Sequence, residues 1–199
     1  MTTIVSIRGT HGSGKSTVVQ KILAKYPCSA KFEPGAKRPF GYVVELPASR
    51  KLFVVGPYLT ACGGCDAVQP YARIWPLVDT FAQAGYDVLL EGALVSSSYG
   101  SIGHSMNYWA TDQGARCYFA FLDTPLATCL QRIAQRRAAR GNLEPVNPHN
   151  TSVKFDNVAR TKDQMRKLGS SISIVDIDHT APVKGVLKLF GVRLNKEPA

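Results

Sequence analysis

The sequence predicts a three-layer α/β fold, in which helices cover both faces of a mostly parallel sheet. Three observations support this prediction. Short β-branched or apolar runs alternate with segments whose apolar residues recur at helical spacing. This strand–helix–strand order gives right-handed βαβ units and hence parallel strands. The chain has 199 residues, of which 45% are hydrophobic, so one domain with a sizeable core is the default.

In the first half of the chain, apolar runs predict strands, and apolar residues three or four positions apart predict helices. The predicted elements are a strand over Thr3–Arg8, a helix over Lys15–Lys25, strands over Gly41–Leu46 and 51–55, a helix over about 68–84 and a strand over 86–90. The two middle strands flank the turn 47–50, which predicts a β-hairpin inserted into the sheet. Pro76 predicts a kink or a late start of the second helix.

The second half continues the alternation with longer loops. The predicted elements are a Ser/Gly-rich loop over 95–103, a short helix around 105–113, a strand over 117–122, a helix over 126–139, a loop over 141–151, a basic helix over 153–168, a strand over 171–177 and a helix over 182–190. Residues 1–191 are predicted to form a single domain, and residues 192–199 a flexible tail.

The segment from Gly9 to Ser16, Gly-Thr-His-Gly-Ser-Gly-Lys-Ser, matches the motif G-x-x-x-x-G-K-[ST] in full. It follows the first predicted strand and opens the first predicted helix, which is the context that this motif requires. The backbone N–H groups of such a loop converge on phosphate oxygens. We expect Lys15 to bridge the β- and γ-phosphates and the Ser16 hydroxyl to ligate Mg²⁺. The candidate nucleotide-binding residues are Gly9, Thr10, His11, Gly12, Ser13, Gly14, Lys15, Ser16 and Thr17.

The motif predicts a P-loop NTPase with ATP and Mg²⁺ as cofactors, but switches, motors and synthetases share this loop. An arginine-rich helix bears on the class of reaction. Arg132 and Arg136 lie one turn apart on one helix face, and Arg140 is expected to continue that face. Guanidinium groups bind the oxygens of a transferred phosphoryl group bidentately. We therefore predict an Arg-rich lid over about 132–151, with a solvated basic helix face as the alternative.

Two carboxylates are candidates for the chemistry at the acceptor. Glu91 ends a continuous apolar strand that is expected to lie beside the P-loop strand, a position suited to a water-mediated Mg²⁺ contact or to a general base. Asp66, in the loop Cys62-Gly-Gly-Cys-Asp66, is a rival for the base. The residues alone leave the choice between them open.

The five cysteines are too few for a disulfide scaffold and are odd in number, which favours a reducing, cytosolic setting. Cys62 and Cys65 have the spacing of half a zinc site, but no second half follows them. The glycines between them are expected to allow close backbone approach to a substrate. No apolar run is long enough for a membrane span.

The charge distribution indicates a polyanionic partner. The net charge is +10, and residues 131–167 hold nine Arg and Lys residues against three acids. Such a patch supports DNA binding, with solubility as the alternative. Aromatic residues in the intervening segments are candidates for stacking on a base: Tyr58, Tyr71, Tyr99, Tyr108 and Trp109.

These motifs together resemble the bacteriophage P-loop kinases related to thymidylate kinase, and among them most of all the 5-hydroxymethyluracil DNA kinases. The motifs are the P-loop, the Gly-Gly-Cys-Asp66 loop, Leu90-Glu91-Gly92, Leu122-Asp-Thr-Pro125 with its arginine helix, and Asn150-Thr-Ser-Val-Lys154. The resemblance implies a nucleotide-kinase-like fold and ATP-dependent phosphorylation of the hydroxymethyl group of 5-hydroxymethyluracil in phage DNA, in the host cytoplasm. It also implies that the loop 176–182 contacts the adenine.

Two other functions stay open at this point. A nucleoside or nucleoside-monophosphate kinase would act on free nucleotides, and a nucleotide-gated module would bind nucleic acid without transfer. Thymidylate kinases carry Asp-Arg-Tyr/Phe after the second core strand, whereas this chain has Glu91-Gly-Ala. That departure counts against free thymidine monophosphate as the acceptor.

Overall fold

The computed structural model describes residues 1–60, 63–97, 100–167 and 171–193. Seven strands form one sheet: β1 (Thr3–Arg8), β2 (Cys28–Lys31), β3 (Gly41–Leu46), β4 (Arg50–Val55), β5 (Asp87–Glu91), β6 (Arg116–Leu122) and β7 (Ser173–Ile177). The strand order is β2-β3-β4-β5-β1-β6-β7. The strands β4-β5-β1-β6-β7 pair parallel with their neighbours in the sheet. At one edge, β2 pairs antiparallel with β3, and β3 pairs antiparallel with β4. The predicted α/β fold with a mostly parallel sheet and an inserted hairpin is confirmed.

Over the described part of the chain, seven α-helices surround the sheet: α1 (Lys15–Lys25), α2 (Ile74–Gln83), α3 (Ala93–Ser97), α4 (Gly100–Thr111), α5 (Leu126–Ala138), α6 (His149–Lys167) and α7 (Pro182–Leu189). Short 3₁₀ turns cover Gly64–Ala67 and Tyr71–Arg73. The second predicted helix starts late, at Ile74, and Pro76 falls in its first turn, where a missing N–H costs no helical hydrogen bond.

Apolar side chains form a separate core on each face of the sheet. One core joins the sheet to α2, α3 and α4 through Val78, Val95 and Met106, and the other joins it to α1 and α7 through Val18 and Val186. Strand β1 is the middle one of the five parallel strands, and all six of its residues are buried, as expected of a parallel strand covered on both sides. The central position of β1 holds the loop that follows it in the middle of the sheet's carboxyl edge.

The predicted loop over 95–103 is wrong in part, because α3 ends at Ser97 and α4 begins at Gly100. In α3 the hydroxyls of Ser96 and Ser97 donate to the carbonyls four residues earlier, at 2.6 and 3.1 Å. Serine is common in loops because its side chain competes for backbone hydrogen bonds, but here these bonds stay within the helix. The buried side chain of Val95 anchors the segment to the core, a contact that the local pattern does not predict.

Strand β2 was absent from the prediction. Its four residues, Cys-Ser-Ala-Lys, are exposed or half-buried, so they show no apolar alternation. Pairing with β3 supplies the hydrogen bonds that make it a strand. Among the described residues, no helix is both long enough and apolar enough to cross a bilayer.

Candidate active site

The loop between β1 and α1 is held in place by the elements around it. The backbone N–H of Gly9 donates to the Ser96 hydroxyl of α3 at 3.2 Å, and the Thr124 hydroxyl donates to the Ser13 carbonyl at 2.9 Å. Gly12 has a φ of +76°, which a residue with a side chain rarely adopts. At that position a Cβ would also collide with the Cys129 carbonyl of α5. The glycine pattern of the motif is therefore required by both backbone conformation and packing.

Lys15 and Ser16 lie in the first turn of α1, where the helix dipole favours an anion. The Lys15 ammonium is nearly buried and donates to the carbonyls of Gly9 and Thr10, at 2.8 and 3.1 Å. The Ser16 hydroxyl donates to Oε1 of Glu91 at 2.9 Å. The Lys15 ammonium, the Ser16 hydroxyl and the Glu91 carboxylate thus lie close together at the start of the helix.

Glu91 ends β5 and pairs with Ile7 of β1, which brings it against the P-loop. It is only 1% exposed, and this burial raises the pKa of its carboxyl, while the Lys15 ammonium and the Ser16 hydroxyl oppose the shift. The Tyr58 phenol is buried next to it, and burial together with the Glu91 charge raises the pKa of Tyr58 well above its ordinary value. The Ser16 hydroxyl and the Glu91 carboxylate are hard oxygen donors of the kind that Mg²⁺ prefers.

Asp66 is exposed and lies in the 3₁₀ turn Gly64–Ala67. Its two carboxylate oxygens accept hydrogen bonds from the backbone N–H groups of Ala93 and Leu94, at 2.6 and 3.2 Å. These bonds cap the start of α3 and fix the orientation of the carboxylate. Nothing in the local sequence signals this contact, since the partners lie 27 and 28 residues apart.

One open cavity of about 730 Å³ unites most of the predicted site residues. It is lined by His11, Gly12, Gly14, Lys15, Ser16, Thr17, Asp66, Glu91, Arg132 and Arg136. Gln20, Gly63, Ala67, Ala93 and Gln135 also line it and were not predicted. The remaining loop residues, Gly9, Thr10 and Ser13, line a smaller cavity of about 170 Å³ between the P-loop and α6. Both candidate carboxylates therefore face the same cavity as the P-loop.

The three candidate arginines differ in their positions. Arg132 donates to the Ser13 carbonyl at 3.1 Å, so it braces the P-loop from α5. Arg136, one turn later, lines the large cavity. Arg140 was expected to continue this face, but α5 ends at Ala138, and Arg140 is exposed and lines neither cavity. A helical face does not extend past the end of its helix, which explains the difference.

His11 occupies a variable position of the loop and faces the cavity. Burial lowers the pKa of the His11 imidazole and is the largest effect on it. The positive charges of Lys15, Lys154 and Arg136 lower this pKa further, whereas the negative charge of Asp66 raises it. A histidine in this setting favours the neutral imidazole.

The two glycines of the Gly63-Gly64 pair pack against the protein itself. A Cβ on Gly64 would lie 2.5 Å from the Glu91 carbonyl oxygen and 2.5 Å from its Oε1. A Cβ on Gly63 would collide with the Pro57 carbonyl. Close approach to a substrate was the expected reason for these glycines; the structure shows instead that Gly64 makes room for Glu91, although Gly63 does line the cavity.

Cys65 is fully buried, and burial raises the pKa of its thiol well above the ordinary value. Cys62 lies outside the described residues. Within the described ranges, the grouping of Asp123, Asp178 and His179 is the one with metal-like spacing, and it contains no cysteine.

Part of the basic surface is engaged within the protein. Lys162 and Arg166 pair with Asp176, and Arg137 lies 3.8 Å from the Glu144 carboxylate. The nine cations of residues 131–167 are therefore not all equally available to a polyanion. Of the candidate stacking residues, Tyr58 and Trp109 are buried, Tyr108 is exposed on α4, and Tyr99 lies outside the described residues.

Comparisons with known proteins place the chain among phage and P-loop proteins. The AAA_33 family, described as an AAA domain, matches residues 4–168. A protein of Pseudomonas phage PaMx11, named "5-hmdU DNA kinase", is 33% identical over 94% of this chain and 96% of its own length. A protein of the same name from Delftia phage PhiW-14 is 27% identical over 81% of this chain and 63% of its own length. Another, from Pseudomonas phage M6, is 28% identical over 84% of this chain and 88% of its own length.

A similar fold occurs in a solved structure of the PezAT chromosomal toxin–antitoxin system of Streptococcus pneumoniae. That chain superposes with a TM-score of 0.51 at 11% identity, over 98% of this chain and 81% of its own length. At this identity the likeness concerns the fold alone.

Proposed function

The chain belongs to the AAA_33 family and to the family of the 5-hmdU DNA kinases, and from this premise we propose that it phosphorylates the hydroxymethyl group of 5-hydroxymethyluracil in phage DNA. ATP is the phosphoryl donor. One observation carries the proposal beyond the family: the P-loop and two carboxylates open on a single cavity. A donor phosphate and an acceptor hydroxyl can therefore meet there. The site of action is the cytoplasm of the infected host.

On the donor side, the backbone N–H groups of the P-loop and the Lys15 ammonium hold the triphosphate. The oxygens of Ser16 and Glu91 lie 2.9 Å apart. These hard oxygen ligands fit Mg²⁺, which Ser16 would bind directly and Glu91 would hold through water. When bound, Mg²⁺ neutralises charge on the β- and γ-phosphates. A triphosphate in the loop would compete with the Gly9 and Thr10 carbonyls for the ammonium.

On the acceptor side, the structure supports a division between the two carboxylates. Glu91 is buried and bonded to Ser16, whereas Asp66 lines the same cavity but is exposed. The backbone hydrogen bonds of Asp66 leave each carboxylate oxygen with a further lone pair. We assign Asp66 as the general base and Glu91 as the metal-side carboxylate.

The transfer is an in-line displacement. The oxygen of the hydroxymethyl group attacks the γ-phosphorus, its proton passes to Asp66, and the bond from the γ-phosphorus to the bridging oxygen breaks, so that ADP leaves. Arg136 lines the cavity within the proposed lid, residues 132–151, and stabilises charge on the transferred phosphoryl group. Arg132 acts through the P-loop carbonyls and is a positioning residue.

The function is tested with γ-labelled ATP and a panel of acceptors: DNA containing 5-hydroxymethyluracil, the same DNA containing thymine, the free nucleoside and thymidine monophosphate. We expect label on the first DNA alone, at a base that digestion identifies as phosphomethyluracil. Label confined to free nucleotides would establish the nucleoside-kinase alternative. ATP-dependent DNA binding without transfer would establish the nucleotide-gated module.

The contact between Gly64 and Glu91 gives a separate prediction. Gly64→Ala is expected to lower the transfer rate about 10²-fold, because a displacement of Glu91 by about 1 Å misplaces the metal-side oxygens. Gly64 has a φ of +79°, so some backbone strain accompanies the clash. Gly35→Ala is the matched control, because Gly35 has a φ of +75° with nothing within 4 Å of its Cβ position.

In both variants, the left-handed backbone conformation of the new alanine should lower the free energy of unfolding by about 1–2 kcal/mol, which is measured as a lower midpoint of urea unfolding. Only Gly64→Ala is expected to lose activity. An equal loss of activity in the two variants would mean that backbone strain, and not the position of Glu91, decides the rate.

A further inference from the structure

The donor-side groups Lys15 and Glu91 are buried in the lining of a concave cavity and are not carried on a projecting element. Lys15 is 7% exposed and Glu91 is 1% exposed. In duplex DNA, the substituent at C5 of a pyrimidine lies in the major groove, which is about 12 Å wide and admits a helix or a β-ribbon. No such projecting element carries Lys15 or Glu91. The base must therefore leave the stack and enter the cavity, as in other enzymes that act on a base. This step rests on the proposed function.

Two exposed leucines lie close in the chain to residues that line the cavity or are bonded to its lining. Leu59 precedes Thr60, whose carbonyl accepts a 2.7 Å hydrogen bond from the cavity-lining Gln20 of α1. Leu94 follows the cavity-lining Ala93 in the first turn of α3, and its N–H donates to Asp66. Their exposed fractions are 61% and 55%. A single exposed leucine is ordinary on a protein surface, so the argument rests on their common location.

The elements beside the two leucines pack on different faces of the sheet: Thr60 is bonded to Gln20 of α1, and Leu94 belongs to α3. Helix α1 packs in the core on one face, and α3 packs through Val95 in the core on the other. DNA seated over the mouth, attracted by the net charge of +10, would meet an apolar side chain on either side of the base that enters.

We propose that Leu59 and Leu94 insert into the base stack of duplex DNA and fill the gap left by the extruded 5-hydroxymethyluracil. Apolar side chains that wedge between base steps replace the lost stacking contacts and hold the strand open. The leucines are specificity-determining residues for duplex DNA. On single-stranded DNA, where the base is already free of a partner, they contribute little.

The test compares three substrates of one sequence: a single strand, a duplex with adenine opposite the modified base, and a duplex with an abasic site opposite it. In the variant Leu59→Ala/Leu94→Ala, we expect kcat/KM to fall about 10²-fold on the paired duplex. Each substitution removes carbon atoms that, in the complex, the base stack would bury. Activity on the single strand is expected to stay within about twofold, and the abasic duplex to recover most of the loss, since extrusion there breaks no base pair.

Phe32→Ala is the matched control, because Phe32 is 52% exposed and follows β2, the edge strand that lies three strands away from β5. It should leave all three activities unchanged. A second readout needs no chemistry: 2-aminopurine placed beside the modified base should brighten when the wild-type protein binds the duplex, and less so with the double variant.

An equal loss of activity on all three substrates would overturn the proposed insertion of the leucines, the wedge, since they would then serve the fold or general binding. Unchanged activity of the double variant on the paired duplex would also overturn it. A wild-type protein without transfer to any DNA would instead overturn the proposed function, and the wedge with it. Unchanged melting temperatures of the variants verify that these exposed substitutions leave the fold intact.

Discussion

We expect Lys15→Met to lower the rate of phosphoryl transfer by about 10²–10³-fold. This is the usual effect of removing one preorganised group that stabilises charge in a transition state. Lys15 is nearly buried at the start of α1. In the proposed mechanism, charge develops there on the β- and γ-phosphate oxygens during transfer. Methionine retains the length and the packing of the side chain but supplies no ammonium. Initial rates with γ-labelled ATP at saturating DNA measure the effect.

Two controls separate the ammonium from the fold. Lys25→Met removes a lysine from the last turn of the same helix, where the side chain is exposed, and should leave the rate unchanged. Thermal melting tests whether Lys15→Met loosens the P-loop, because Lys15 also donates to the Gly9 and Thr10 carbonyls. A folded variant that retains more than half of the wild-type rate would refute the role of this lysine.

The second large effect is expected from Asp66→Asn, which should lower kcat by about 10²–10⁴-fold, the usual contribution of a general base. An amide cannot take the proton of the acceptor hydroxyl, although its oxygen can still accept one of the two backbone hydrogen bonds from α3. The Mg²⁺ concentration needed for half-maximal rate should stay close to the wild-type value, since the hydrogen bonds of Asp66 go to the N–H groups of Ala93 and Leu94, whereas Glu91 bonds to Ser16.

Glu91→Gln provides the paired measurement. Glutamine can still accept from the Ser16 hydroxyl, but it lacks the charge that holds the water shell of the metal, so the Mg²⁺ requirement should rise about 10–100-fold. High Mg²⁺ should then restore much of the rate in this variant but not in Asp66→Asn. The reverse pattern, with Mg²⁺ rescuing only Asp66→Asn, would exchange the two assignments.

Local patterns were enough to predict that the P-loop motif lies between a strand and a helix, as β1 and α1 confirm. The P-loop needs eight consecutive residues, and its geometry depends on glycine conformations and on a helix start that neighbouring residues encode. The same holds for the β3–β4 hairpin, whose strands alternate or run apolar on either side of a turn. Predictions of this kind succeed because the decisive contacts lie close together in the chain.

The local pattern failed where distant contacts decide. The serine-rich segment at Ser96 and Ser97 was expected to be a loop, but Val95 in the core and the cap from Asp66 hold it as α3. Arg140 was expected on the face of Arg136, but the end of α5 at Ala138 removes it from that face. Helix ends and short helices depend on caps and packing, which a periodicity cannot supply.

The chain on its own thus predicts the loop in which we propose that the phosphates of a nucleotide bind, and the strand and helix on either side of it. The choice between the two carboxylates needed the folded molecule. Glu91 is drawn to Ser16 because parallel pairing sets β5 beside β1, and Asp66 is turned to the open cavity because its oxygens cap α3. Both contacts join residues more than 25 positions apart, and the energy of such contacts comes from burial and hydrogen bonds that exist only once the sheet has formed.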